Sequence, residues 1–193
     1  MFDGCTSLTS APETLPSITL LTYCYSYMFQ GCTSLTTAPN LPATTLSTYC
    51  YLNMFGGCTS LTTAPTLPAT TLANGCYANM FSHCESLITA PSLPATTLAA
   101  DCYGGMFFTC TSLTTAPALP ATTLANGCYK YIFAGCVNLT SIRISYTGTV
   151  AGAPTDAFSE WVNLVPTHGI FYYKGSDTLE NFGFPFGWIV IPN

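Results

Sequence analysis

The chain has 193 residues, of which 49% are hydrophobic and 6% charged, with a formal net charge of -5. Soluble domains usually carry about 25% charged residues, and three Lys plus Arg cannot neutralise a phosphate backbone, which excludes nucleic-acid partners. Disorder is excluded by the hydrophobicity, and Pro and Thr interrupt every apolar run before the ~18 residues of a membrane span.

In chain order the sequence is a tandem repeat. Residues 28–53, MFQGCTSLTTAPNLPATTLSTYCYLN, recur at 54–79, 80–105 and 106–131, always with 26 residues. The first copy, 1–27, is one residue longer because P-E-T-L-P replaces P-x-L-P. A sixth copy starts at Ile132 and drifts, and a seventh remnant starts at Ala157. A period between 20 and 50 residues predicts a solenoid, in which each unit buries its apolar face on its neighbours. Residues 1–131 are thus five near-identical units, and 132–193 hold degenerate repeats and a C-terminal cap. Six of the eleven charges lie in that tail, among them Arg143, Asp156, Glu160 and Lys174, as a polar outer face requires. Phe182, Phe184, Phe186 and Trp188 are candidates to seal the last coil, or to form an aromatic patch for sugars.

Within a unit, Cys50, Met54, Phe55 and Cys58 fall at i, i+4, i+5 and i+8, which predicts a short helix. Asn74 and Asp101 precede the equivalent Cys76 and Cys102, as helix caps would. Leu35 and Ala38 have the spacing of a short strand, which Pro39 and Pro42 keep from extending. Thr44, Thr45 and Leu46 make a second short extended segment. Leu35, Leu41, Leu46, Met54, Phe55 and Cys58 are the predicted inward residues.

The pattern F-x-G-C-T-S-L-T at residues 29–36 resembles the BspA-type leucine-rich repeat of bacterial surface proteins, over residues 1 to about 175. The ending Gly187-Trp-Ile-Val-Ile-Pro resembles the closing segment that follows such repeats. The expected fold is an α/β repeat: a right-handed leucine-rich-repeat solenoid of about seven coils, with short strands on one side and short helices on the other. Two departures bear on it. The unit is longer than the common form, and Ala38-Pro39 stands where the family places I-x-I, which implies a short or irregular strand. The resemblance further implies a cell-surface or secreted setting and a role in adhesion or ligand binding, without a catalytic centre.

The eleven cysteines form two columns. One is Cys5, Cys32, Cys58, Cys84, Cys110 and Cys136; the other is Cys24, Cys50, Cys76, Cys102 and Cys128. Eight helical residues separate partners by about 12 Å, too far for a disulfide. Equivalents on adjacent coils are within range at strand spacing, although the odd count leaves one unpaired. Buried thiols acting as small hydrophobes is the simpler account. No C-x-x-C occurs and ligating His are scarce, so neither a metal nor a cofactor is expected.

Other columns repeat the same register. Thr37, Thr63, Thr89 and Thr115 align, as do Thr44, Thr70, Thr96 and Thr122. Such ranks either form a neutral face that satisfies local backbone groups or order water as an ice-binding surface would, with Ile88 interrupting the neighbouring rank. Tyr25, Tyr51, Tyr77, Tyr103 and Tyr129 either stack as supports or, exposed, form a recognition platform. Positions that vary between copies mark exposure: Asn40, Thr66, Ser92 and Ala118 beside the prolines, and the pair Leu52-Asn53, which becomes Ala78-Asn79, Gly104-Gly105 and Lys130-Tyr131. The candidate ligand-binding residues are Asn40, Thr66, Ser92, Ala118 and the five Tyr.

Catalytic motifs are missing. His83 precedes Cys84, but adjacency does not align a nucleophile with its base, and no G-x-S-x-G, Walker loop or G-x-G-x-x-G occurs. Met1 is the Met of the repeat, and neither a cap nor a signal core precedes it. An open first coil exposes strand edges, so the expectation is a fragment or processed product, or an end that docks on something. The function expected is a non-enzymatic extracellular or cell-surface module for adhesion to, or recognition of, host protein or glycan. The alternatives are a structural spacer or fibre subunit of an appendage or phage tail, self-associating through the first coil, and an ice-binding Thr array.

Overall fold

The computed structural model describes residues 1–192. Among them three strands form: β1 (Ser141–Arg143), β2 (Gly169–Tyr172) and β3 (Trp188–Ile191). They make one parallel sheet in the order β1-β2-β3, with Ser141 opposite Ile170 and Gly169 opposite Trp188. Upstream the same ladder is reduced to single parallel bridges, linking Ser10 to Thr37, Thr37 to Thr63, Thr63 to Thr89, and Thr115 to Ser141. The prolines explain the difference. Pro39, Pro65, Pro91 and Pro117 follow the bridge by two residues and have no N–H to continue it. The sixth copy reads Ser141-Ile-Arg-Ile there, without proline, and pairs as a true strand.

The predicted helices do not form; among the described residues there is no α-helix. The segment through Cys24 and Cys32 is instead a ribbon of turns with a strict two-residue alternation. Tyr25, Tyr27, Phe29 and Gly31 donate their N–H to Cys50, Leu52, Met54 and Gly56 on the next coil. Between them, Ser26, Met28, Gln30 and Cys32 donate back to the carbonyls of Tyr23, Tyr25, Tyr27 and Phe29. The odd carbonyls thus receive the local bonds and the even carbonyls those from the preceding coil, so the ribbon meets the buried-backbone requirement without a helix. Every fourth residue takes a left-handed backbone: Tyr23, Tyr27 and Gly31 at φ 59, 57 and 67°, then Tyr49, Asn53 and Gly57 at 52, 51 and 74°. Asp101, expected as a helix cap, is one of these residues at φ 52°.

The first coil absorbs its extra residue locally. Ser10 pairs 27 residues ahead with Thr37, whereas Thr14 pairs 26 ahead with Asn40. The insertion therefore sits between Ser10 and Thr14 as a bulge, and the downstream register is kept.

The core consists of side-chain ladders along the stack. Phe2, Phe29, Phe55, Phe81, Phe107 and Phe133 stack with centroids 5.5 to 5.9 Å apart and planes within 8°. Leu35, Leu41, Leu46, Met54, Phe55 and Cys58, expected inward, are all buried. At the C-terminal side the ladder passes from Phe133 to Trp161 at 6.4 Å, and Trp161 Nε1 donates to the Phe182 carbonyl at 2.6 Å. Phe182, Phe184 and Trp188 are buried as sealing residues, but Phe186 is fully exposed and seals nothing.

Candidate ligand-binding faces

From Pro39 to Thr44 the side chains alternate in and out as an extended segment dictates, and the alternation slips by one residue at Thr45. Pro39, Leu41, Ala43 and Leu46 are buried, while Asn40, Pro42, Thr44 and Thr45 are exposed. The same pattern places Thr66, Ser92 and Ala118 in one exposed rank with Asn40. Rows of threonine run on either side, and part of their hydroxyl capacity serves the coil stack. The Thr140 hydroxyl donates to the Thr114 carbonyl at 3.3 Å, and Asn40 Nδ2 reaches the Thr14 hydroxyl at 3.5 Å. Ile88 stands 59% exposed among the threonines. Between two coils this face opens into a shallow groove of about 300 Å³, with Pro91, Pro94, Pro117 and Pro120 as walls and Ser92 and Ala118 at its rim. The proline rings fix the backbone φ, so the face is stiff and uncharged.

The tyrosine column resolves into a core feature. Tyr51, Tyr77, Tyr103 and Tyr129 are 1% exposed and stack at 5.7 to 6.2 Å with nearly parallel planes. No ligand reaches these four rings from solvent, which corrects their candidacy as a platform. Tyr25 is half-buried and stacks on Tyr51 at 5.9 Å. Amphipathic residues such as Tyr serve equally inside and at interfaces, so their column alone did not decide the matter.

The cysteines are all free thiols, nine buried and Cys5 and Cys24 exposed. The five buried members of the first column each donate S–H to a phenylalanine carbonyl of the preceding coil: Cys32 to Phe2, Cys58 to Phe29, Cys84 to Phe55, Cys110 to Phe81 and Cys136 to Phe107, at 3.0 to 3.2 Å. Burial holds the Cys84 thiol well above the ordinary range, and the neighbouring His83 is exposed and meets Phe108 edge-on at 5.3 Å. A Cys84 nucleophile activated by His83 does not assemble there. Among the described residues no group of three or more His, Cys, Asp or Glu is placed to hold a metal ion, and no helix is long and apolar enough to cross a membrane.

On the turn ribbon, opposite in role to the threonine face, lies a second depression of about 280 Å³. It is lined by the pairs that vary between copies, Ala78-Asn79, Gly104-Gly105 and Lys130-Tyr131, together with Tyr49, Leu52 and Asp101. Variation between copies was the available signal for it, and it extends to Tyr49 and Asp101, whose column reads Tyr23, Tyr49, Gly75, Asp101 and Gly127.

A family model described as BspA type Leucine rich repeat region matches the chain in six copies, over residues 1–113 and 27–165. No curated protein and no solved structure matches it.

Proposed function

Because the chain belongs to the BspA-type leucine-rich repeat family, a family of repeat interaction modules, we propose that it is a non-enzymatic recognition module displayed on the cell surface or secreted, wound right-handed in about seven coils. It docks a protein or glycan ligand along the rank of Asn40, Thr66, Ser92 and Ala118. The observation that carries this reading is the exposure of all four on one proline-stiffened face. Variable side chains held on a rigid frame lose little conformational entropy on binding. With so few charges, selectivity rests on hydroxyls and shape, and association is little steered by electrostatics.

The test is the double variant Ser92→Arg and Ala118→Arg, which fills the proline groove from exposed positions. Retention on an array of extracellular-matrix proteins should fall by tenfold or more while the thermal midpoint is unchanged. Undiminished retention refutes the threonine face as the docking surface.

A second reading, a self-associating structural unit, draws on the first coil, where Ile18, Leu21 and Tyr23 are 69%, 74% and 54% exposed. Static light scattering that reports a mass rising with concentration, and abolished by Leu21→Arg, favours it. A concentration-independent monomer mass removes it.

A further inference from the structure

The depression on the turn ribbon has a construction that the repeat itself does not explain. Its rims come from residues at left-handed positions whose side chains lie over the following coil. A Cβ at Gly75 would meet the Tyr49 ring, one at Gly105 would meet Asn79 Oδ1, and one at Gly127 would meet Asp101 Oδ1. Each large side chain is therefore seated on a glycine one coil ahead. Gly104 has only backbone atoms near its open side, at 3.4 Å and beyond, so Ala78 and Gly104 form a floor two coils wide without a large side chain, beside Gly105 on which Asn79 rests. At strand spacing that floor is about 10 Å long. Leu52 and Tyr49 bound it on one side, Lys130 and Tyr131 on the other.

We propose that this groove binds a neutral oligosaccharide of about two pyranose rings, held between the Tyr49 and Tyr131 rings with its hydroxyls on Asn79 and Asp101. A pyranose has a C–H face that packs on an aromatic ring and a rim of hydroxyls that both donate and accept. The groove offers that complement. Tyr49 is half-buried and stacked on Tyr23 at 5.1 Å and 15°, so its ring is held rigid and pays little entropy on contact. Asp101 is an acceptor and the Asn79 amide is both donor and acceptor, and both are exposed.

The charge selects among sugars. The Lys130 ammonium lies 3.4 Å from Asp156 Oδ2 and 5.6 Å from the Tyr131 ring centroid, so it is already engaged. Asp101 leaves the groove net negative, which disfavours uronic and sialic acids and phosphates. A floor of glycine and alanine provides no apolar pocket for a peptide anchor. Tyr49 also holds a left-handed backbone at φ 52°, costly for a bulky residue, where the aligned Gly75 and Gly127 have none of that cost.

The experiment is saturation-transfer NMR and calorimetric titration of the full chain with neutral trisaccharides of glucose, mannose, galactose and N-acetylglucosamine, beside a sialylated trisaccharide. Two variants follow patterns the repeat already tolerates. Tyr49→Gly copies the glycine of the next coil, and Gly104→Leu copies Leu52 at the same register. At least one neutral probe should bind, the sialylated one more weakly, and each variant should weaken binding tenfold or more at an unchanged or raised thermal midpoint. Absence of neutral-sugar binding at millimolar concentration, preference for the acidic sugar, or binding indifferent to both variants overturns the proposal. The Ser92 and Ala118 variants should leave sugar binding intact; loss there would place the sugar on the threonine face instead and overturn this site.

Discussion

A thiol in this molecule is a hydrophobe with one hydrogen bond to give. Burial pushes Cys50 and Cys128 up to about 11, and Cys58, Cys76 and Cys136 up to about 12, from an ordinary 9.0. The unfolded chain loses these protons near pH 9, whereas the folded chain keeps them until pH 11 to 12. Their contribution to stability is therefore complete below pH 9 and is lost between pH 9 and about 12, at about 1.4 kcal/mol per pH unit for each thiol. Urea midpoints at pH 8, 9.5 and 11 should fall in that order, and a profile flat to pH 11 contradicts the burial argument. At pH 8 a thiol reagent should modify Cys5 and Cys24 in the native chain and all eleven after denaturation. A different residue bears an uncompensated cost. Tyr103 has a buried hydroxyl with no hydrogen-bond partner, which costs about 1 to 3 kcal/mol. Tyr103→Phe should raise the thermal midpoint by a few degrees, and a lowered midpoint would show that the hydroxyl is satisfied.

At the scale of the element, the turn ribbon does what a helix was expected to do, and the reason the two were confused is one of phase. Cys50, Tyr51, Met54, Phe55 and Cys58 face inward with a four-residue period. A helix advances about 100° per residue and a four-residue period 90°, so eight steps separate them by only about 80°. Apolar spacing over so short a segment does not distinguish them. The left-handed positions do, because glycine, asparagine and aspartate recur every fourth residue, as at Asn53 and Gly57. That column contains exceptions with a measurable cost. Gly31, Gly57 and Gly135 sit at φ 67 to 77°, but the aligned Thr109 sits at 59°, and a β-branched residue there is strained. Thr109→Gly should stabilise the chain by about 1 kcal/mol, checked by chemical denaturation. A loss of stability would show that the Thr109 side chain contributes more than its backbone costs.

The whole molecule is a stack in which each coil bonds to its neighbours. Backbone ladders, the phenylalanine ladder and the thiol bonds all connect positions one coil apart, as Phe55 does through its stack on Phe81 and its N–H to Met80. Stability then approximates a sum of unit and nearest-neighbour terms. Deleting residues 54–79 joins Asn53 to Met80 in unchanged register. The shortened chain should fold with the same circular dichroism per residue and a lower urea midpoint. Failure to fold would show that the coils are not interchangeable. By contrast Phe81→Ala interrupts a ladder without restoring register and should cost about 3 to 5 kcal/mol.

The 26-residue period by itself determined the repeat architecture and the inward Leu, Met, Phe and Cys, because a solenoid repeats its chemistry whenever it repeats its geometry. It also marked Asn40, Thr66, Ser92 and Ala118 as outward, since tolerance between copies follows exposure. Only the tertiary structure decided between ribbon and helix, because the choice depends on hydrogen bonds to a coil 25 residues away. It alone sent the Tyr column inward at Tyr51, Tyr77, Tyr103 and Tyr129, where the same amphipathic ring would suit either side. Variation between copies marked Asn79 and Tyr131 as outward, but the groove they share with Tyr49 came from the fold, because it is made by which small residue lies one coil beyond which large one.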